Sequence, residues 1–168
     1  MNVVIAIDSF KGSLTSMEAG KSAADGIKKV HPDAEVAVCP LADGGEGTVE
    51  ALTAGCGGIF TEVTVTGPLG KPVSCRYGIL EESQTAIIEM SGAAGITLIS
   101  SNERNPLATT TYGVGEVIRD AVGRGCRHFV VGIGGSATND GGIGMLQALG
   151  FGFLGKNGRQ IRLGASGL

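Results

Sequence analysis

Three loops of the chain concentrate the residue types that phosphoryl chemistry uses. Residues 8–13 read DSFKGS and bring Asp8, Ser9 and Lys11. Residues 42–48 read ADGGEGT and bring Asp43, Gly44, Gly45 and Glu46. Residues 132–142 read GIGGSATNDGG and bring Gly134, Gly135, Ser136, Asn139 and Asp140. Backbone N–H groups at helix starts favour phosphate. A carboxylate can hold Mg²⁺, and a lysine neutralises phosphate oxygens. A lone Asp–Gly turn is usually only a turn or a helix cap. Three on one sheet edge weigh against that reading, because ligands gather at the carboxyl ends of parallel strands.

Weaker signals accompany the loops. Glu89 and Ser91 place a carboxylate and a hydroxyl at a strand end. Arg104 could pair a substrate carboxylate or stand as an exposed arginine, and Thr109, Thr110 and Thr111 read as a helix cap. Two familiar motifs fail. Gly20-Lys21-Ser22 resembles the end of a Walker A loop, but Thr15 stands where its first glycine belongs and the segment lies within a helix pattern. Gly132, Gly134 and Ala137 match a loose dinucleotide fingerprint, yet no Asp or Glu follows Asp140 to hold a ribose.

The elements that must carry these loops alternate. An apolar β-branched run at 3–7 reads as a fully buried strand. Thr15 and Glu18 form a capping box that opens a helix, and His31-Pro32 stops it. A strand at 35–41 and a short helix at 48–54 follow. Residues 59–101 read as β-rich, with strands at 60–66, 73–80 and 85–90 whose short connections predict antiparallel pairing. A helix at 111–122, a strand at 128–133 and a helix at 143–149 restore the α/β pattern, and 151–159 reads as a small hairpin. The expected fold is α/β: a Rossmann-like, three-layer parallel sheet with helices on both faces, plus a β-rich section that begins a second α/β domain. The expected division is 1–58 for the first part of the Rossmann-like domain. Residues 59–168 then hold the β-rich segment and further α/β units of an incomplete second domain.

Composition narrows the function classes. At 42% hydrophobic and net charge −3, the 168 residues are neither a disordered tail nor a basic nucleic-acid module. The 30 glycines have no fixed period and sit between apolar runs, which excludes collagen and low complexity. Four scattered cysteines and two histidines do not make a zinc site. No run has the pattern of a signal peptide or the length of a membrane span, so the expectation is a cytoplasmic chain with free thiols, no nucleic acid and no membrane. The last residues carry no terminating signal and read as a chain cut short.

The chain resembles the glycerate kinase family of bacterial organic-acid kinases. The matching stretches are DSFKGSLT at 8–15, LADGGEGTVEA at 41–51, VTGPLG at 65–70, RNPL at 104–107, TTTYGVGEVI at 109–118 and GIGGSATNDGG at 132–142. They run in the family's order along most of the chain. The resemblance implies ATP-dependent phosphorylation of D-glycerate with Mg²⁺, giving a phosphoglycerate, with 2-phosphoglycerate favoured. It also implies two α/β domains with the site between them, and relatives that continue well beyond residue 168. The roles expected on that footing are as follows. Asp8 and Ser9 belong to the first loop of the site, and Lys11 meets a phosphate or the glycerate carboxylate. Asp43 and Glu46 hold Mg²⁺ or accept the hydroxyl proton. Gly44 and Gly45 contact substrate, as do Arg104 and Asn139. Gly134, Gly135 and Ser136 cradle phosphate, and Asp140 is a metal ligand or base. A Mg²⁺-dependent phosphohydrolase and a non-catalytic half-protein that binds nucleotide or acid remain as alternatives, and a homodimer stays open.

Overall fold

The computed structural model describes residues 1–10 and 13–168. β1 (Asn2–Ile7) and β2 (Glu35–Pro40) form a two-stranded parallel sheet, with Asn2 opposite Glu35 and Ile7 opposite Pro40. The crossover between them is α1 (Ser16–Val30). Both halves of the expected capping box are present. The Glu18 N–H donates to Thr15 Oγ1 at 3.2 Å, and the Thr15 N–H donates to Glu18 Oε2 at 2.9 Å. Gly20 lets α1 settle on Val38, since a Cβ there would run into that side chain.

The second sheet contains β3 (Ile59–Thr66), β4 (Pro72–Leu80), β5 (Thr85–Glu89) and β6 (His128–Gly132), in that order. The first two pairings are antiparallel, and β5 pairs with β6 in parallel. One face carries α2 (Thr48–Gly55), whose Thr53 lies against Gly78. The other face carries α3 (Ser91–Ala94) and α4 (Tyr112–Gly123). There Tyr77, Ile88, Ala93, Ala94, Val114 and Val117 share the main core. α5 (Ile143–Ala148) packs on α4, with Gly115 against Met145 and Ala148. The α/β class is therefore as expected, with parallel pairs in both sheets and helices on both faces of the larger one.

Two local expectations are corrected, and a third holds in reduced form. The 3–7 run forms a strand, but not a fully buried one. α1 covers one face of its small sheet, and alternate residues face outward, with Val4 69% exposed. The 151–159 hairpin is present in reduced form: the antiparallel Leu154–Gln160 bridge is flanked by the Gly155 N–H donating to Arg159 O and the Ile161 N–H donating to Phe153 O, both at 2.9 Å. Its apolar residues Phe151 and Leu154 are exposed, leaving no buried face to fix a register. Thr111 is the N-cap residue of α4, but its side chain makes no cap bond to its own helix. That hydroxyl is engaged by Asp140 and by the Met145 N–H instead.

Candidate functional site

Two of the three glycine-rich loops meet backbone to backbone. The Gly134 N–H donates to the Gly44 carbonyl at 3.0 Å. A Cβ on Gly134 would lie 2.6 Å from Gly45 Cα and 3.1 Å from Gly44 O, so only glycine permits this approach. Gly132 ends β6 and lies opposite Glu89, the last residue of β5. The carboxyl ends of β2, β5 and β6 therefore converge, although β2 belongs to a different sheet.

A cleft of about 650 Å³ opens beside this junction. Ser9 and Phe10 line it from the segment after β1, Pro40 from the end of β2, Glu46 from the second loop and Glu89 from the end of β5. Glu89 also satisfies the start of α2. Its Oε1 accepts the Val49 N–H at 2.8 Å, and the Thr48 backbone contributes a further bond. Burial pushes the Glu89 carboxyl above its ordinary value, and nearby Glu50 adds to this. The bonds from Val49, Ser91 and Thr48 oppose the shift without cancelling it. Its sequence signal was a strand-end carboxylate, but the helix that it caps lies 40 residues earlier in the chain.

Asp140 performs the corresponding task at α5. Gly142, the N-cap of that helix, has φ of 79°, a left-handed conformation open to glycine. The turn aims backbone donors at the preceding carboxylate. Asp140 is 1% exposed. Its Oδ2 accepts the Thr111 N–H at 2.8 Å, the Gly144 N–H at 3.2 Å and the Thr110 hydroxyl at 3.3 Å. Its Oδ1 accepts the Gly142 N–H at 3.1 Å. Thr111 Oγ1 lies 3.1 and 3.0 Å from the two oxygens. The carboxylate thus ties the third loop, α5 and the 109–111 segment together.

A second hollow, of about 250 Å³, lies on the other part of the third loop. Arg104, Ser136 and Asn139 line it together, although 35 residues separate the first from the last. The loop here is held on several sides. The Ile96 N–H donates to Gly135 O at 2.9 Å, the Ala137 N–H to Ala94 O at 2.9 Å, and the Thr109 hydroxyl to Ala137 O at 2.8 Å. Gly135, with φ of 70°, lies against Ser91.

The remaining expected site residues are distributed as follows. Asp8 is half-buried and its Oδ1 accepts the Ser9 N–H at 2.7 Å. Asp43 is exposed, and its Oδ1 accepts the Gly45 N–H at 3.1 Å. Lys11 lies outside the described residues. Among the described residues no group of three or more His, Cys, Asp or Glu is placed to hold a metal. A Mg²⁺ ion carried on nucleotide phosphates needs only one or two carboxylates. Asp43 fits that smaller demand by its exposure. The five donors around Asp140 leave it poorly suited to a metal.

Comparison with known proteins identifies the family. The family model described as the glycerate kinase family matches residues 3–168. A Bacillus subtilis (strain 168) protein named glycerate kinase is 48% identical over the whole chain, which covers 44% of that relative. An Escherichia coli (strain K12) protein named glycerate 2-kinase is 46% identical with the same coverage. A solved chain from Salmonella typhimurium LT2, assigned as a glycerate kinase 2, superposes with a TM-score of 0.89 at 46% identity. That match covers 99% of this chain and 45% of the other. The chain thus spans about 44% of the length of the curated relatives that it matches.

Proposed function

The chain belongs to the glycerate kinase family, and on that premise we propose that the whole protein transfers the γ-phosphate of ATP to a hydroxyl of D-glycerate. The favoured product is 2-phosphoglycerate, a choice supported by the relative named glycerate 2-kinase. The observation that carries the reading is the Gly44–Gly134 junction. It brings two motif-bearing loops from separate sheets to one place, beside a cleft lined by Ser9, Glu46 and Glu89.

An alcohol is a weak nucleophile, so a carboxylate within hydrogen-bond reach of the glycerate hydroxyl serves as base. We assign that part to Asp43 or Glu46, both exposed in the second loop. Asp43 is also the chain's candidate ligand for Mg²⁺, which would neutralise phosphate oxygens when bound with ATP. Lys11 is assigned to a phosphate. Gly134, Gly135 and Ser136 offer backbone and hydroxyl contacts, and Asp140 holds their loop in shape. A cytoplasmic location goes with this reading, in keeping with the free thiols of Cys39, Cys56, Cys75 and Cys126. Among the described residues no helix is long and apolar enough to cross a membrane.

The test is a ³¹P NMR time course with Mg-ATP, with and without D-glycerate. A phosphoglycerate resonance that appears only with glycerate is the expected result, and its position identifies the hydroxyl used. Asp43→Ala should then lower turnover far more than it lowers the melting temperature. ADP formed equally without glycerate would replace the kinase with a phosphohydrolase. Coverage of 44% of its relatives favours one further outcome. Residues 1–168 by themselves would then bind substrate without turnover, and the longer protein would be required for activity.

A further inference from the structure

The two hollows differ in charge. The 650 Å³ cleft is lined by four carboxylates, from Glu18, Glu46, Glu50 and Glu89, of which Glu50 lies 3.6 Å from the Arg76 guanidinium. The 250 Å³ hollow is lined by Arg104 and by no carboxylate. Around Arg104 stand Ser136, Thr138 and Asn139, with Ile96 and Pro106 as apolar wall. Arg104 makes no hydrogen bond or ion pair with any described residue, so its guanidinium donors are open to a ligand. Ser136 and Thr138 pair their hydroxyls at 2.9 Å, which aligns two groups that can each donate or accept.

From this contrast we propose that the Arg104 hollow is the subsite for the carboxylate of the small hydroxy-acid substrate. The proposal rests on the kinase reading for the identity of that acid. A planar guanidinium matches a carboxylate with two parallel hydrogen bonds, and the hydroxyls and the Asn139 amide can serve the acid's own hydroxyl groups. Size agrees, because 250 Å³ lies below the range of pockets that take drug-sized ligands, whereas 650 Å³ lies within it. The hollow is also built in advance. Bonds to Ile96, Thr109 and Ala94 fix the loop that carries Ser136, Thr138 and Asn139, and Asp140 anchors its far end. Little ordering is then left to oppose binding.

The test compares the parent with Arg104→Ala and Arg104→Lys by calorimetric titration and steady-state kinetics. The probes are D-glycerate, glycerol (which lacks the carboxylate), inorganic phosphate and Mg-ATP. Loss of a charge-assisted pair should weaken D-glycerate binding by about tenfold or more in R104A, with partial recovery in R104K. Glycerol should bind none of the three proteins measurably, and the affinity for ATP should stay within about twofold. Unchanged D-glycerate affinity in R104A would overturn the subsite. So would a loss confined to inorganic phosphate or ATP, because the hollow would then be a phosphate site. Turnover with an unchanged KM for glycerate in R104A removes the subsite and leaves the kinase standing. Arginine-dependent binding of glycerate without phosphorylation does the reverse. Arg104 makes no hydrogen bond or ion pair with any described residue, so matching melting temperatures are expected in all three proteins.

Discussion

Glu89 and Asp140 are both carboxylates that close the start of a helix, Glu89 from a strand 40 residues later in the chain and Asp140 from the turn just before its helix, and they differ in what surrounds them. Asp140 receives five donors on two oxygens, and its acidity was legible in the sequence while its employment was not. Thr110 and Thr111 stand some thirty residues earlier, and nothing in the local spacing announces that they turn inward. Glu89 receives fewer donors and faces Glu50, so desolvation dominates and its carboxyl is raised. A raised carboxyl pKa has a definite sign in linkage. The folded state binds the proton more tightly than the unfolded chain does. The contribution to stability is therefore complete below the ordinary glutamate range, about pH 4, and is lost as pH rises through the raised value. Glutamine does not titrate but can still accept the Val49 N–H. The melting temperature of the parent minus that of Glu89→Gln should therefore fall between about pH 4 and pH 7. Thermal scans at matched ionic strength check this. A difference that grows with pH would mean that the bonds from Val49 and Thr48 outweigh burial.

At the scale of elements, α2 is the part most informative about how the sheets are joined. Its Val49, Ala51 and Thr53 are buried, and its start is bonded to Glu89 of β5. Thr53 is fully buried against Gly78, and its hydroxyl has no hydrogen-bond partner among the described residues. An unpartnered buried hydroxyl costs free energy that a methyl group does not. Thr53→Val keeps the branched shape, and it should raise stability by about 1 kcal/mol in urea unfolding. A loss of that size would show that the hydroxyl has a partner, such as a bound water. The element boundaries were largely readable, because the capping box, the glycines and the apolar periods are local signals. Packing was less so. The β-branched run of β1 signalled burial, but burial depends on what lies over each face, and only one face of that sheet is covered. The turn residues of 151–159 signalled a hairpin, and the chain closes one, but without a buried face it stays at one bridge and the two backbone bonds beside it.

Across the whole molecule, the candidate site depends on two sheets holding one geometry. The sequence reading placed all three loops on the edge of one parallel sheet, whereas the second follows a strand of the small sheet and the third a strand of the larger one, and the two meet through their backbones. The contact itself is small: one hydrogen bond between Gly134 and Gly44, and a backbone approach that no side chain could share. Gly134 does not have a left-handed φ, so Gly134→Ala tests the approach and not the conformation. Its new Cβ would meet Gly45 Cα and Gly44 O, which are backbone atoms with no rotamer to turn away. The loops must part, at a cost of about 1–3 kcal/mol by analogy with overpacked cores. That cost should not spread evenly. β4 and β5 keep the main core with α4, whereas β1 and β2 have only α1, α2 and this junction. Native-state hydrogen exchange of the G134A protein should therefore show amides of β1, β2 and the 42–47 loop losing more protection than those of β4 and β5. Equal loss in both sheets would mean that the molecule opens as one unit and that the junction is no seam. Protection unchanged in either sheet would mean that the loops absorb a methyl group without parting, and the close approach would then lose its standing as the feature that aligns the site.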